Sequence, residues 1–182
     1  RELDQILGHT SKTVRNEIRR SSKENITVRC DESPEGPLVF IARHAEFNRR
    51  KQLGEPVSKA LLERLQGHHF LYSAYRNESW LGHLLVVHDG QRSRLLTHVN
   101  NLDHPDRAMV GYASRATVWQ SICDAQTRGM SVYDFGGIVR DERHPAFGVT
   151  LFKKAFGGDH VREWNSLVIP SAVRRMLYRL HH

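Results

Sequence analysis

The sequence predicts a mixed α/β domain over residues 1–182, with a mostly antiparallel sheet flanked by helices. Three observations predict it. Three strand-like runs follow one another with turn residues between them. Helical spacings lie on both sides of that group. A short strand near residue 133 is then reached through a long helix, and a further helix and strand follow, which is the alternation of a β-α-β unit.

The elements follow in chain order. "SKTVRNEIRRSSKE", residues 11–24, reads as a helix capped by Thr10 or Ser11, with Val14 and Ile18 on one stripe. Lys12, Arg15, Arg19 and Lys23 share another face, because their spacings of three and four keep them together on a helix. "ITVRC", 26–30, alternates like a strand. Residues 37–53 read as a helix, and Ser58 caps "KALLERL" up to Gly67. "HFLYSAYRN", "WLGHLLVVHDG" and "RSRLLTHVNN" are the three strands, with Asn77-Glu78 and Asp89-Gly90 as turns. In 112–128, Ala116, Trp119, Ile122 or Cys123, and Ala125 follow helical spacing, with Gly129 as the stop. "SVYDF", 131–135, is a short strand and "FGVTLFKKAFGG" a helix ended by glycine. "VREWNSLVI" reads as a strand, and Pro170 opens a last helix, "SAVRRMLYRL". The order is ααβααβββ, then αβ, then αβα.

Composition narrows the function classes. Of the 182 residues 39% are hydrophobic and 26% charged, enough apolar material for one core and not the makeup of a disordered chain. No run approaches the roughly 18–20 apolar residues of a membrane helix, and the start has no signal-like pattern. Cys30 and Cys123 are far apart and in no motif. That argues against a disulfide framework or a zinc site and fits a reducing, cytoplasmic setting. The twelve histidines fit no ligand spacing, so no metal is expected. The formal net charge of +7 favours anionic partners without selecting one.

Two stretches stand out: Tyr133-Asp134-Phe135-Gly136-Gly137-Ile138, and Phe152-Lys153-x-x-Phe156-Gly157-Gly158. Taken as packing alone, Phe152 and Phe156 are an i, i+4 core pair, Gly157-Gly158 ends a helix, Asp134 caps the turn after a strand, and Lys153 and Lys154 form a solvated face. The two stretches together, at this spacing, resemble the GNAT acyltransferase superfamily, and within it the FemAB/FemX-like aminoacyl and peptidyl transferases of bacterial cell-wall synthesis. The early basic helix and following strand are similar to that branch as well. Full FemAB-like ligases carry two GNAT-like domains, and this chain has room for one.

The resemblance implies a single GNAT-like domain that transfers an acyl group to an amine. Such a reaction needs a held donor, a stabilised oxyanion and a group to take the amine's proton. By resemblance Lys153 lies at the transfer site, and Asp134 orients the amine or takes its proton. The resemblance also places a donor pyrophosphate on the N-terminus of the helix after the third meander strand, where free N–H groups favour anions. Gly111-x-Ala113 fits part of that phosphate loop, with Arg107 and Arg115 beside it, although Ala108 stands where the pattern has Gln or Arg. Tyr133, Glu142 and His144 are candidate acceptor contacts, and Arg15 and Arg19 candidate contacts to an acceptor phosphate or tRNA; packing, a solvated loop and a solvated helix face are the respective alternatives.

The leading expectation is an N-acyltransferase that takes acetyl-CoA or another acyl-CoA and an amino-sugar or peptide acceptor of the cell envelope, by direct transfer. The alternatives are an aminoacyl-tRNA donor, and a GNAT domain that only binds, nucleic acid for example. A homodimer supplying the second domain is a further expectation.

Overall fold

The computed structural model describes residues 3–31 and 35–163. The predicted last helix from Pro170 and most of the strand "VREWNSLVI" lie outside the described residues; Val161, Arg162 and Glu163 are described and are not in a strand.

The elements are α1 (Leu3–His9), α2 (Lys12–Lys23), β1 (Ile26–Cys30), α3 (Gly36–Lys51), α4 (Lys59–Arg64), β2 (His69–Arg76), β3 (Ser79–His88), β4 (Arg92–Asn100), α5 (Arg107–Thr127), β5 (Val132–Asp134) and α6 (Phe147–Ala155). Helix α1 is the element for which no residue span was predicted. Ser11 and Ser58 cap α2 and α4 as expected, each accepting from the backbone N–H three residues on.

The strands form one sheet in sequence order, antiparallel from β1 to β4 and parallel between β4 and β5. Strand alternation supplies two apolar faces. Leu84, Val86 and Leu95 pack with Val14, Val118, Ile122 and Phe156 under α2, α5 and α6. Leu85, Leu71 and Val99 pack with Phe40, Val57 and Leu62 under α3 and α4. His44 fastens the second layer: its Nδ1 accepts from Val57 N at 3.0 Å, and its Nε2 lies 3.1 Å from the Thr97 hydroxyl.

Two features open the sheet beside β5. The β3–β4 register steps from Val86↔Leu95 to Leu85↔Thr97, so Leu96 is an extra, bulged residue. The β4–β5 pairing covers only Arg92↔Val132 to Arg94↔Asp134, while β4 runs on to Asn100. The strands separate at Asp134, and the chain turns away through Gly136, whose φ is +72°.

Candidate active site

A cavity of about 460 Å³ lies over the paired stretch of β4 and β5, bordered also by the Gly136-Gly137 turn, α6 and the segment from Gly157 to Glu163. Asp134 and Lys153 both line it. Asp134 Oδ1 accepts from Gly136 N at 2.7 Å. Lys153 Nζ donates to Gly137 O at 2.6 Å. One glycine pair is thus gripped from both sides. A side chain at Gly136 would stand 3.4 Å from Leu95 O and 3.8 Å from both Lys153 Nζ and Arg94 Nε, so the turn passes close against β4. Thr150 holds the following segment to α6 by a reciprocal pair with Val139, accepting from its N–H at 2.9 Å and donating to its carbonyl at 3.0 Å.

Lys153 is half-buried, and burial pulls its pKa below that of an ordinary lysine; Asp134 opposes the shift and Arg94 adds to it. Asp134 Oδ2 lies 3.5 Å from both Arg92 Nη2 and Arg94 Nη1. Tyr133 turns its hydroxyl to the Ser121 hydroxyl at 2.7 Å, its ring packs 5.1 Å from Phe135, and burial raises its pKa. Its contacts are those of packing, although its backbone borders the cavity.

The other expected contacts fall elsewhere. Glu142 and His144 are exposed on the turn before α6 and do not line the cavity; His144 Nδ1 accepts from Ala146 N at 3.1 Å. Arg15 donates to Gly8 O at 3.1 Å and to Thr10 O, closing the end of α1. Arg19 is exposed on α2 and outside the cavity.

The predicted phosphate loop is a helix. Helix α5 begins at Arg107, five residues earlier than the expected 112, because Asp106 caps it: its Oδ1 accepts from Ala108 N at 2.9 Å and Met109 N at 3.2 Å. Gly111 and Ala113 are therefore helical, and Ala113 is buried in the core. Arg115 pairs with Glu17 at 2.7 Å and lies over the Phe152 ring at 4.7 Å, tying α5 to α2 and α6. Arg107 is exposed at the helix start and reaches Asn101 O at 3.5 Å.

A family model described as an acetyltransferase (GNAT) domain matches residues 8–145. The chain belongs to the GNAT acetyltransferase family. No curated protein sequence matches it significantly. Among solved structures, FemX superposes with a TM-score of 0.72 at 15% identity, over 86% of this chain and 56% of FemX. The chain therefore spans just over half of FemX. A ribosomal-protein-alanine N-acetyltransferase from Brucella melitensis biovar Abortus gives 0.52 at 15% identity, over 81% of this chain and 98% of that one. An aminoglycoside acetyltransferase from an uncultured soil metagenomic sample, solved with sisomicin, gives 0.56 at 9% identity, over 82% and 99%. These likenesses are of fold.

The cavity of this GNAT domain contains residues that the sequence pattern alone does not single out. Arg92 and Arg94 stand two apart on β4, on one face, level with Val132 and Asp134 of β5. The alternation "RSR" was the available signal, but only the parallel pairing with β5 turns it into a site. Glu163 reaches the same two arginines, pairing with Arg92 and lying 3.6 Å from Arg94.

Proposed function

We propose that this chain is an N-acyltransferase acting on an amino group of a cell-envelope sugar or peptide, with the transfer at the Asp134–Lys153 corner. The observation that carries the reading is the hydrogen-bonded arrangement Asp134–Gly136-Gly137–Lys153, set where the two parallel strands separate. The amine nitrogen attacks the donor carbonyl, a C–N bond forms, and the carbonyl oxygen gains charge. Lys153 spends one donor on Gly137 and keeps the rest for that oxyanion. Asp134 fixes the turn with Oδ1, and its buried Oδ2, without a hydrogen-bond partner, is the oxygen left to take the amine proton. Collapse expels the donor's thiolate or ribose oxygen, which takes up a proton. The transfer is direct: Cys123 is half-buried in α5, and burial pushes its thiol up to about 11, away from the thiolate form a nucleophile needs.

Acyl-CoA is the donor that GNAT domains generally bind. One observation favours the second donor, aminoacyl-tRNA. Two N–H groups of the first turn of α5, those of Ala108 and Met109, where a pyrophosphate would rest, are already held by the Asp106 carboxylate. An aminoacyl ester needs no pyrophosphate there, and the exposed cations Lys12, Arg19 and Lys23 on α2 suit an RNA backbone.

The test is the melting temperature with acetyl-CoA, aminoacylated tRNA and deacylated tRNA, beside an acyl-transfer assay of wild type and Lys153→Ala. A rise with acetyl-CoA alone establishes the thioester donor, and a rise specific to aminoacyl-tRNA the ester donor. Transfer that Lys153→Ala leaves intact would sink the assignment of the corner and leave a domain that only binds.

A further inference from the structure

The geometry points to a carboxylate-binding subsite on Arg92 and Arg94, occupied in this structure by the chain's own Glu163 and serving an acceptor that carries a carboxylate near its reactive amine. It rests on the reading of the cavity as the transfer site and adds the chemical class of the acceptor.

Four observations support it. The two guanidinium groups project from one face of β4 into the cavity, each more than two-fifths exposed, so a ligand can reach them. Glu163 is shared between them: Oε1 pairs with Arg92 Nη2, and Oε2 lies 3.6 Å from Arg94 Nη1. That is how two arginines hold one carboxylate, and the side chain that supplies it stands on an exposed segment beyond α6. Arg92 Nε and Asp134 Oδ2 are, among the described residues, buried without a hydrogen-bond partner, so the built-in occupant leaves the polar wall incompletely used. Lastly, Arg94 Nε and Lys153 Nζ both lie 3.8 Å from the position a side chain on Gly136 would take. The arginine pair and Lys153 therefore border the same point of the Gly136 turn, so a carboxylate on the arginines lies on the same side of the cavity as the oxyanion site.

Charge decides between occupants. Five basic side chains, Arg92, Arg94, Arg140, Lys153 and Lys154, line the cavity with three carboxylates, Asp134, Asp159 and Glu163, and of these Arg92 and Arg94 hold Asp134 and Glu163. Asp134 is bound into the Gly136 turn and stays. Glu163 is the exchangeable anion: a substrate carboxylate that replaces it keeps the balance, whereas a neutral acceptor leaves Glu163 in place. The subsite thus discriminates for carboxylate-bearing amines, with Glu163 as an internal competitor that weakens binding of unsuitable acceptors.

The experiment is calorimetric titration of the full chain with glutarate, neutral glutaramide and inorganic phosphate, using wild type, Glu163→Gln and the double variant Arg92→Gln/Arg94→Gln. The expected result is that glutarate binds Glu163→Gln at least fivefold more tightly than wild type, that the double variant loses the binding, and that glutaramide does not bind. Equal glutarate affinity in wild type and Glu163→Gln overturns the proposal, as does binding that survives in the double variant. Phosphate binding Glu163→Gln more tightly than glutarate overturns the carboxylate assignment. Because these titrations involve no transfer, their outcome stands apart from the Lys153→Ala assay that tests the transfer reading. Melting curves of both variants show whether a lost signal is a lost fold.

Discussion

Two parts of the molecule carried the expectation of a site, and the structure treats them differently. At the β5–α6 corner, residues from two separate segments meet: Asp134 at a strand end with the Gly136-Gly137 turn that follows it, and Lys153 on a helix sixteen positions beyond Gly137. At the start of α5 the expected residues belong to one continuous helix, and its donors are satisfied by its own cap. A site needs unsatisfied groups converging from different elements; a helix end that caps itself has spent them.

The sharpest way to break the comparison is Lys153→Ala. Loss of one cation at an oxyanion costs on the order of 10²–10³ in kcat, with little change in melting temperature, because Lys153 is only half-buried. Lys153→Arg keeps charge but not the fit to Gly137 O and should recover part of the rate. A steady-state assay with unchanged kcat in Lys153→Ala would leave the corner with no advantage over the α5 end. The pH profile adds a check: burial lowers the Lys153 pKa, so transfer that needs the ammonium declines on the alkaline side sooner than an ordinary lysine would dictate.

Acid acts on the fold instead of the corner. His83 sits on β3, its Nδ1 2.8 Å from the Ser73 hydroxyl and its Nε2 accepting from Arg43 at 2.9 Å. Burial first, then the Arg43 charge, push its pKa down to about 3, against about 6.5 in an unfolded chain. Between about pH 6.5 and about pH 3 the unfolded chain takes up a proton that the folded one refuses. The stabilisation is therefore complete above pH 6.5 and lost as pH falls through that window, by up to about 1.4 kcal/mol per pH unit. Chemical denaturation at pH 7 and pH 5 measures it. His83→Gln, which cannot titrate, should flatten the slope; an unchanged slope would show that other groups, such as the buried His98, carry it.

These contrasts also explain what was legible in the sequence. The strands were legible because alternation and turn residues specify a half-buried meander locally, and Ser11 and Ser58 cap their helices by contacts three residues long. Asp134 and Lys153 were legible as a motif. Arg92, Arg94 and Glu163 were not, because their meeting depends on a parallel pairing across a helix of twenty-one residues and on a segment folded back over β4. Helix α5 starts at Arg107 for a local reason: Asp106 is as good a cap as Ser or Asn, so Gly111 falls inside the helix and not in a loop before it. Glu142 and His144 were read by residue type alone, and the turn they occupy faces solvent.

A glycine pair sharpens the comparison at smaller magnitude. Gly136 has φ +72° and stands against Leu95 O, so Gly136→Ala should cost about 1–2 kcal/mol and lower transfer by displacing the Gly137 carbonyl from Lys153. Gly111 is helical with open space around it, so Gly111→Ala should stabilise by about 0.5–1 kcal/mol and leave donor affinity unchanged. Thermal unfolding of the two variants, with acetyl-CoA titration of the second, reads both. A loss of donor affinity in Gly111→Ala would return the phosphate site to α5.

The smallest effect is the most discriminating for the α5 end. Asp106→Ala removes the cap and should cost about 1 kcal/mol, whereas Asp106→Asn keeps an acceptor oxygen and should cost only a few tenths. The asparagine variant differs from wild type almost solely in charge. If a donor pyrophosphate used this helix end, removing the carboxylate would remove a repulsion and add the helix dipole's attraction, so acetyl-CoA would bind more tightly to Asp106→Asn. With an aminoacyl ester as donor, affinity for acetyl-CoA stays at its wild-type value and only stability moves. Calorimetry on the two variants separates these cases: tightening assigns the first turn of α5 to the donor with Asp106 as its competitor, and constancy assigns that turn to the fold.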